Sequence, residues 1–488
     1  MSQAAKAVMV LGTSSGAGKS WLATALCRWY ARQGLVVRPF KAQNMSNNAR
    51  VVATPEGGLG EIGSAQYFQA LAARARPDVR MNPLLLKPEA DTRSQVVLMG
   101  RVDEALSRTP WRERGPLVWP RVAQALDSLR AECDVLVIEG AGSPAEINLM
   151  DSDIVNLRVA RHADARSLLV TDIDRGGAFA HLYGTWALLP EADRARLAGF
   201  VLNKFRGDEA LLAPAPEQLQ ALTGVPVLAT LPMWRDHGLP EEDGVFDAQA
   251  TGEAGATLKI AVLAYPRISN LDEFQPLRQV GGVRLVWARS VAELDGADIV
   301  VLPGSKATAA DLAWLRARGL DAAVAAHAAR GGRVLGVCGG LQMLGEALID
   351  TEGIDGNAPG LGLLPLVTAF GRDKALRHTR VRLDGVGGAW QALSGVTVEG
   401  YEIHHGQTAQ HPAMAAQGNV AREVAPGLAW QNAAGNVLGL YLHGLFEDAA
   451  ALRALFGAQA RPLDAVFDGL ADAVERRFAP GSLAALIA

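Results

Sequence analysis

The sequence predicts an α/β chain of two domains, the first a doubly wound parallel sheet and the second a further α/β unit. Three observations carry this reading. Continuous apolar runs at residues 8–11, 35–40, 135–138, 167–170 and 199–202 alternate with helix-compatible stretches, the pattern of a parallel sheet covered on both faces. A glycine-rich loop separates the first run from a helix expected over residues 19–32. A polar, Gly/Ala-rich stretch at 247–257 is then followed by a second set of runs at 259–263, 283–287, 299–302 and 334–337. The expected division is residues 1–246, a linker at 247–257, a second domain at 258–450 and a helical tail at 451–488.

Composition narrows the class. A chain of 488 residues exceeds one ordinary core. It is 49% hydrophobic and 20% charged, as globular proteins are, and its net charge of -4 provides no basic field for nucleic acid. Cys27, Cys133 and Cys338 lie far apart and are odd in number, which suits a reducing compartment rather than a disulfide or zinc framework. The apolar run at residues 7–11 is too short for a signal peptide or a membrane span. A cytoplasmic enzyme with small-molecule partners, without nucleic acid or membrane, is the expectation, and a homo-oligomer is left open.

The runs of the first domain end in polar residues, Glu139, Asp172 and Asn203, where ligands bind in such sheets. The loop Gly12-Thr13-Ser-Ser-Gly16-Ala-Gly18-Lys19-Ser20 stands between strand and helix. Small residues there let backbone N–H groups converge on phosphate, and the helix dipole assists. Lys19 would neutralise β/γ-phosphate charge, and Ser20 would ligate Mg²⁺. Glu139, between Ile138 and Gly140, is a second candidate for Mg²⁺, the other reading being a solvated acid near a helix start. Asn203 has the donor and acceptor needed to read an adenine base; a plain strand-to-loop cap is the alternative.

In the second domain, Gly336-Val-Cys338-Gly339-Gly-Leu-Gln342 follows an apolar run and precedes a helix-compatible stretch at 341–348. A strand, a sharp glycine turn and a helix make an elbow that exposes a nucleophile. A thiol at a helix N-terminus feels the positive end of the dipole, which favours thiolate. His443 ends another apolar strand and is the candidate base. Gly304, in Leu302-Pro-Gly-Ser305, is a strand-end turn whose N–H groups would help to hold an oxyanion. His404 and His405 are adjacent on one expected strand and point to opposite faces, so they read as local architecture rather than a shared metal site.

Both halves resemble known families. The loop with Thr13 in its first-glycine place resembles that of dethiobiotin synthetase and its relatives, which use ATP to activate carboxylates. The Cys338–His443 pair resembles class I glutamine amidotransferase domains, flavodoxin-like in fold, which release ammonia through a glutamyl thioester. That resemblance implies glutamine positioning by Gln342, with Gly304 and Gly339 at the oxyanion. The family's usual glutamate two residues after the histidine is replaced here by Leu445; Glu447 stands at a different offset. Slower or partner-gated glutaminase is the expectation that follows.

Collinear stretches from about residue 7 to 450 resemble the cobyric acid synthase family: Lys41-Ala-Gln-Asn44-Met-Ser-Asn47-Asn48, Asn82 to Pro88, Glu146 to Asp153, Thr171 to Gly177, and Leu302 to Thr308. The resemblance implies ATP, Mg²⁺ and glutamine, with amidation of the b, d, e and g carboxylates of adenosylcobyrinic acid a,c-diamide. It implies Lys41 near phosphate, and Asn44, Asn47, Asn48 and Arg175 facing the corrinoid. The sister enzyme that amidates the a and c arms is the near alternative, and a ParA-like ATPase switch the distant one.

Overall fold

The computed structural model describes residues 5–240 and 257–488. The expected linker therefore lies, Thr257 apart, outside the described residues. The first sheet has six parallel strands, in the spatial order Val227–Pro232, Leu197–Phe205, Arg166–Asp172, Lys6–Gly12, Val135–Glu139 and Val37–Phe40. The strands extend past the apolar runs because their polar ends still pair: Asp172 lies in register with Asn203. Every residue of Val135–Glu139 is buried, as a two-faced sheet requires. Glu139, Asp172 and Asn203 all lie at carboxyl ends of these strands, close to the glycine loop that follows Lys6–Gly12.

The second sheet has seven strands. Val283–Ala288, Leu258–Leu263, Ile299–Leu302, Arg333–Val337 and Val437–Leu440 are parallel, and Ala429–Gln431 and Arg422–Ala425 add an antiparallel edge. The helix expected over 341–348 spans only Gly339–Leu344. Gly345 ends it against Leu366, whose carbonyl oxygen would sit 2.7 Å from a Cβ at that position. Ala347–Asp350 then pairs as a strand with Leu366–Arg382.

Two features were not anticipated. A long antiparallel hairpin, Leu366–Arg382 with Thr397–Gln410, projects from the second domain, and its register shifts between Phe370 and Ala375. Its Tyr401 and Ile403 pack with Ala49, Val51, Leu85 and Val97 of the first domain. The tail also returns to the first domain. Helix Leu463–Arg477 lies on helix Lys19–Arg32, where the buried Arg28 pairs with Asp464 and Asp468, and Tyr30 Oη donates to the Leu483 carbonyl at 2.8 Å.

Polar groups complete the joint between the domains. Arg50, on strand Ala49–Ala53, pairs with Asp272, its Nε 3.1 Å from Oδ2, and with both oxygens of Glu447 at 2.6–2.7 Å. Asn270 donates to the Ala49 carbonyl at 2.8 Å, and Leu271 N donates to Asn48 Oδ1 at 3.0 Å. Arg50 and Asp272 are both buried. Removing one member of a buried pair strands the other charge. Arg50→Ala is therefore expected to destabilise the protein by about 3–5 kcal/mol, read as a lower denaturant midpoint. A shift within experimental error would show that the pair does not hold the joint.

Candidate active site

The glycine loop is built as its sequence requires. Gly16 and Gly18 have φ of 71° and 98°, values open to glycine at little cost. A side chain at Gly18 would also strike Asn203, whose Nδ2 would lie 1.9 Å from its Cβ. Lys19 Nζ donates to the carbonyls of Ser14 at 2.9 Å and Gly142 at 3.2 Å, which holds it across the loop. Thr13 Oγ1 bonds Thr171 Oγ1 at 3.0 Å, tying the loop to the neighbouring strand.

Glu139 is the centre of this site. It is 1% exposed, accepts from Ser20 Oγ at 2.8 Å and Lys41 Nζ at 2.7 Å, and takes Gln69 Nε2 on its other oxygen at 2.5 Å. Burial alone would raise its pKa, but Lys41 and the hydrogen bonds from Gln69 and Ser20 lower it. The Ser20 hydroxyl and an ionised carboxylate side by side are a donor set suited to Mg²⁺, which takes few protein oxygens and completes its shell with water and phosphate. Among the described residues no group of three or more His, Cys, Asp or Glu forms a denser metal site.

A cavity of about 1410 Å³ opens over this centre and is lined by Lys19, Ser20, Lys41, Asn44, Glu139, Arg175 and Asn203. Exposed apolar side chains Met45, Trp111 and Leu149 also line it. Asn203 donates to the Ala17 carbonyl at 2.9 Å, so its amide braces the loop as well as facing the cavity. Arg175 stands beside the loop, with a guanidinium nitrogen 3.8 Å from where a Gly16 Cβ would be. Asn47 and Asn48 are elsewhere. Asn48 is buried at the joint, bonded to Leu271 N, and Asn47 lines the pocket of Cys338. Beyond Met45 the run leaves the cavity, because the chain passes from it into the joint between the domains.

In the second domain Cys338 sits between strand Arg333–Val337 and helix Gly339–Leu344, at φ 52° and ψ -107°. A non-glycine residue held there costs on the order of 1–3 kcal/mol, and the packing must impose it. Glycines make that packing feasible. A Cβ on Gly340 would lie 1.9 Å from the Leu302 carbonyl oxygen, and one on Gly339 2.7 Å from Ser305 N. Gly304 approaches the imidazole: its Cβ would lie 3.1 Å from His443 Cε1. Gln342 is buried, accepting from Thr308 at 3.3 Å and donating to Tyr441 at 3.3 Å. A pocket of about 60 Å³ joins Cys338, Gln342 and Ser305.

His443 is fully buried, and its orienting acid is Glu273. Glu273 Oε1 lies 2.8 Å from His443 Nδ1, and Oε2 accepts from Gly444 N at 2.8 Å. Tyr401 stacks on the ring at 5.2 Å. The buried Nε2 has no conventional partner, and the Cys338 sulfur is close enough to bear on its charge. Burial acts to lower the imidazole pKa, but Glu273 and Cys338 outweigh it and raise it to about 10. An imidazolium facing a sulfur is the arrangement a thiolate nucleophile requires.

Glu447 does not take the orienting place; it pairs with Arg50. Leu445, where a glutamate was expected, is 1% exposed and packs in the core. Glu273 comes instead from the 3-10 turn Leu271–Gln279, where Asp272 and Glu273 are buried together among apolar residues. The segment mixes polar and apolar residues, Leu-Asp-Glu-Phe-Gln-Pro-Leu-Arg-Gln, so no local pattern in the sequence marks Glu273. His404 stacks on Tyr441 at 3.8 Å while His405 bonds the Gly371 carbonyl at 3.3 Å. They face apart, and both border the Cys338 pocket.

Phosphate-loop geometry in one domain and a Cys–His–Glu arrangement in the other define a nucleotide-dependent enzyme with its own glutamine amidotransferase. Residues 8–244 match the CobQ/CobB/MinD/ParA nucleotide binding domain, and residues 259–451 the CobB/CobQ-like glutamine amidotransferase domain. The chain is 76% identical over 484 residues to the cobyric acid synthase of Acidovorax sp. (strain JS42), covering 99% of this chain and 98% of that one. It is 75% identical over 491 residues to that of Acidovorax ebreus (strain TPSY), covering 99% of both, and 74% identical over 483 residues to that of Variovorax paradoxus (strain S110), again covering 99% of both. The chain belongs to the cobyric acid synthase family, glutamine-dependent amide ligases of cobalamin biosynthesis.

Glu273→Gln keeps the size of the side chain and removes its charge. Glutamine turnover is expected to fall by roughly 10²–10⁴, in the range of other oriented histidines. The sign of the pH effect follows from the raised imidazole pKa: without Glu273 it falls, the imidazolium is lost sooner, and the alkaline limb of kcat/KM moves to lower pH. An unmoved limb would remove Glu273 from this role.

Proposed function

We propose that the chain amidates the b, d, e and g carboxylates of adenosylcobyrinic acid a,c-diamide through acyl phosphates, using ammonia released at Cys338. The observation that carries the reading is the pairing, in one chain, of the Glu139 phosphate centre with the Cys338–His443–Glu273 arrangement.

Glutamine enters the pocket of Cys338. The thiolate attacks the side-chain amide carbon, and the oxyanion forms beside Gly304 and Gly339. The C–N bond breaks as His443 gives its proton to the leaving nitrogen, leaving ammonia and a glutamyl thioester. Water, deprotonated by His443, attacks the thioester, and glutamate leaves with thiolate and imidazolium restored.

In the large cavity, ATP places its phosphates on the loop from Thr13 to Ser20, with Gly16, Gly18 and Lys19 at the phosphates and Asn203 toward the base. Ser20 and Glu139 would hold Mg²⁺, which supplies neutralisation of phosphate charge. A corrinoid carboxylate oxygen attacks the γ-phosphorus and ADP leaves. Lys41, fixed by Glu139, stabilises the acyl phosphate. Ammonia attacks its carbonyl carbon, phosphate departs, and the nitrogen loses a proton. Each cycle converts ATP, glutamine, carboxylate and water into ADP, phosphate, glutamate and amide. Asn44 and Arg175 are the polar corrinoid contacts, and Met45, Trp111 and Leu149 offer the apolar surface a macrocycle needs.

Cys338→Ala is expected to abolish glutamine-dependent amidation while leaving ammonia-dependent amidation in place. Glu139→Gln is expected to abolish both and to spare alkylation of Cys338 by a glutamine-like diazoketone. Mass spectrometry of the corrinoid and of the protein reads both outcomes. Loss of ammonia-dependent activity in folded Cys338→Ala would break the division of labour. Turnover of cobyrinic acid with none of its a,c-diamide would assign the chain to the sister reaction.

A further inference from the structure

The pocket beside Cys338 is not made by the amidotransferase domain alone. Asn47 and Lys87 of the first domain line it, together with Lys306, Asp355 and Lys374 of the second. Lys87 and Lys374 share one carboxylate, Glu61, which is 1% exposed; Lys87 Nζ lies 2.5 Å from it, and Lys374 bonds its other oxygen. Two ammonium groups on one carboxylate leave a positive charge at the pocket wall. Burial and the neighbouring Lys87 hold the Lys374 pKa down at about 8 against the pull of Glu61, a strain that an incoming anion relieves. Lys306 is already matched, 2.8 Å from Glu89.

Asn47 supplies the complementary group. Its Nδ2 donates to the Pro88 carbonyl at 3.2 Å, while Oδ1 is buried with no hydrogen-bond partner. A buried acceptor without a donor is costly unless a ligand satisfies it. Asp355, also on the wall, adds a carboxylate whose oxygens accept from Thr308 N and Ala309 N at 2.7–2.9 Å. The pocket that Cys338 lines thus also presents an excess cation, an unsatisfied acceptor and a carboxylate. That is the charge pattern of an α-amino acid zwitterion whose side chain points at Cys338.

Resting on the amide-donor reading above, we propose that Lys87 and Lys374 bind the α-carboxylate of glutamine and that Asn47 Oδ1 accepts from its α-ammonium. The amide-donor site is then assembled from both domains, and glutamine binds only where the carboxylate-activating domain is docked.

The test compares glutamine with 4-aminobutyramide, which keeps the amide and amine but lacks the α-carboxylate. Both are offered to the full chain with ATP and the corrinoid present. For Lys87→Met, KM for glutamine is expected to rise about tenfold or more with kcat changed far less, the loss typical of one charge-assisted contact. Turnover of 4-aminobutyramide should change little, so the preference for glutamine narrows. Lys374→Met is the second variant should Lys87→Met fail to fold, since each leaves Glu61 one lysine. An equal loss with both amides, or an unchanged preference, would overturn the subsite. Failure of the wild-type protein to be alkylated at Cys338 by 6-diazo-5-oxo-L-norleucine would instead sink the amide-donor reading itself.

Discussion

The Arg50 guanidinium, buried between Asp272 and Glu447, is the interaction on which the joint between the domains, and with it the surroundings of His443, depends. It belongs to the nucleotide-binding domain, yet its partners flank the Glu273–His443 pair of the other: Asp272 precedes Glu273, and Glu447 follows His443 and Gly444 on one turn. Three aromatic rings, Tyr67, Phe68 and Tyr401, lie about the same guanidinium at 5.0–5.5 Å. Of these Tyr401 also stacks on His443. A charge buried this deeply is tolerated only where its partners are fixed, so the pair sets the approach of one domain to the other.

The Cys338 site shows why such fixing is needed. Its backbone is held in a strained conformation, His443 is wholly buried, and Glu273 comes from a turn rather than from a strand. Each of these is stable only if neighbouring elements hold it. The glycines at 304, 339 and 340 let the strand ends close to within contact, and the joint clamps the turn that carries Glu273. Glu139 plays the equivalent part in the first domain, gathering Ser20, Lys41 and Gln69 around one ionised carboxylate.

What was legible in the sequence was what is local in it. The elbow around Cys338 and the loop from Gly12 to Ser20 each compress strand, turn and helix into a few residues, and the polar ends of apolar runs gave Glu139, Asn203 and His443. Glu273 was not legible because it meets His443 across 170 residues, through a 3-10 turn with no periodicity to reveal its facing. Glu447 was the nearer acid, but its carboxylate is turned to Arg50. The asparagine run from Asn44 to Asn48 looked like one surface. In the fold it crosses from the large cavity to the joint, so of its asparagines Asn44 alone lines the cavity. The tail helix gave no sign of which domain it would join, since an amphipathic helix fits any apolar face; Arg28 and Tyr30 decide it.

The proposed division of labour requires that ammonia made at Cys338 be used in the other domain of the same molecule. The direct measurement supplies glutamine labelled with ¹⁵N in its side-chain amide together with an excess of unlabelled ammonium, and reads the isotope in the amidated corrinoid by mass spectrometry. Transfer within the docked protein predicts that the new amides carry mostly ¹⁵N. Amides that match the isotope ratio of the bulk ammonium would contradict it.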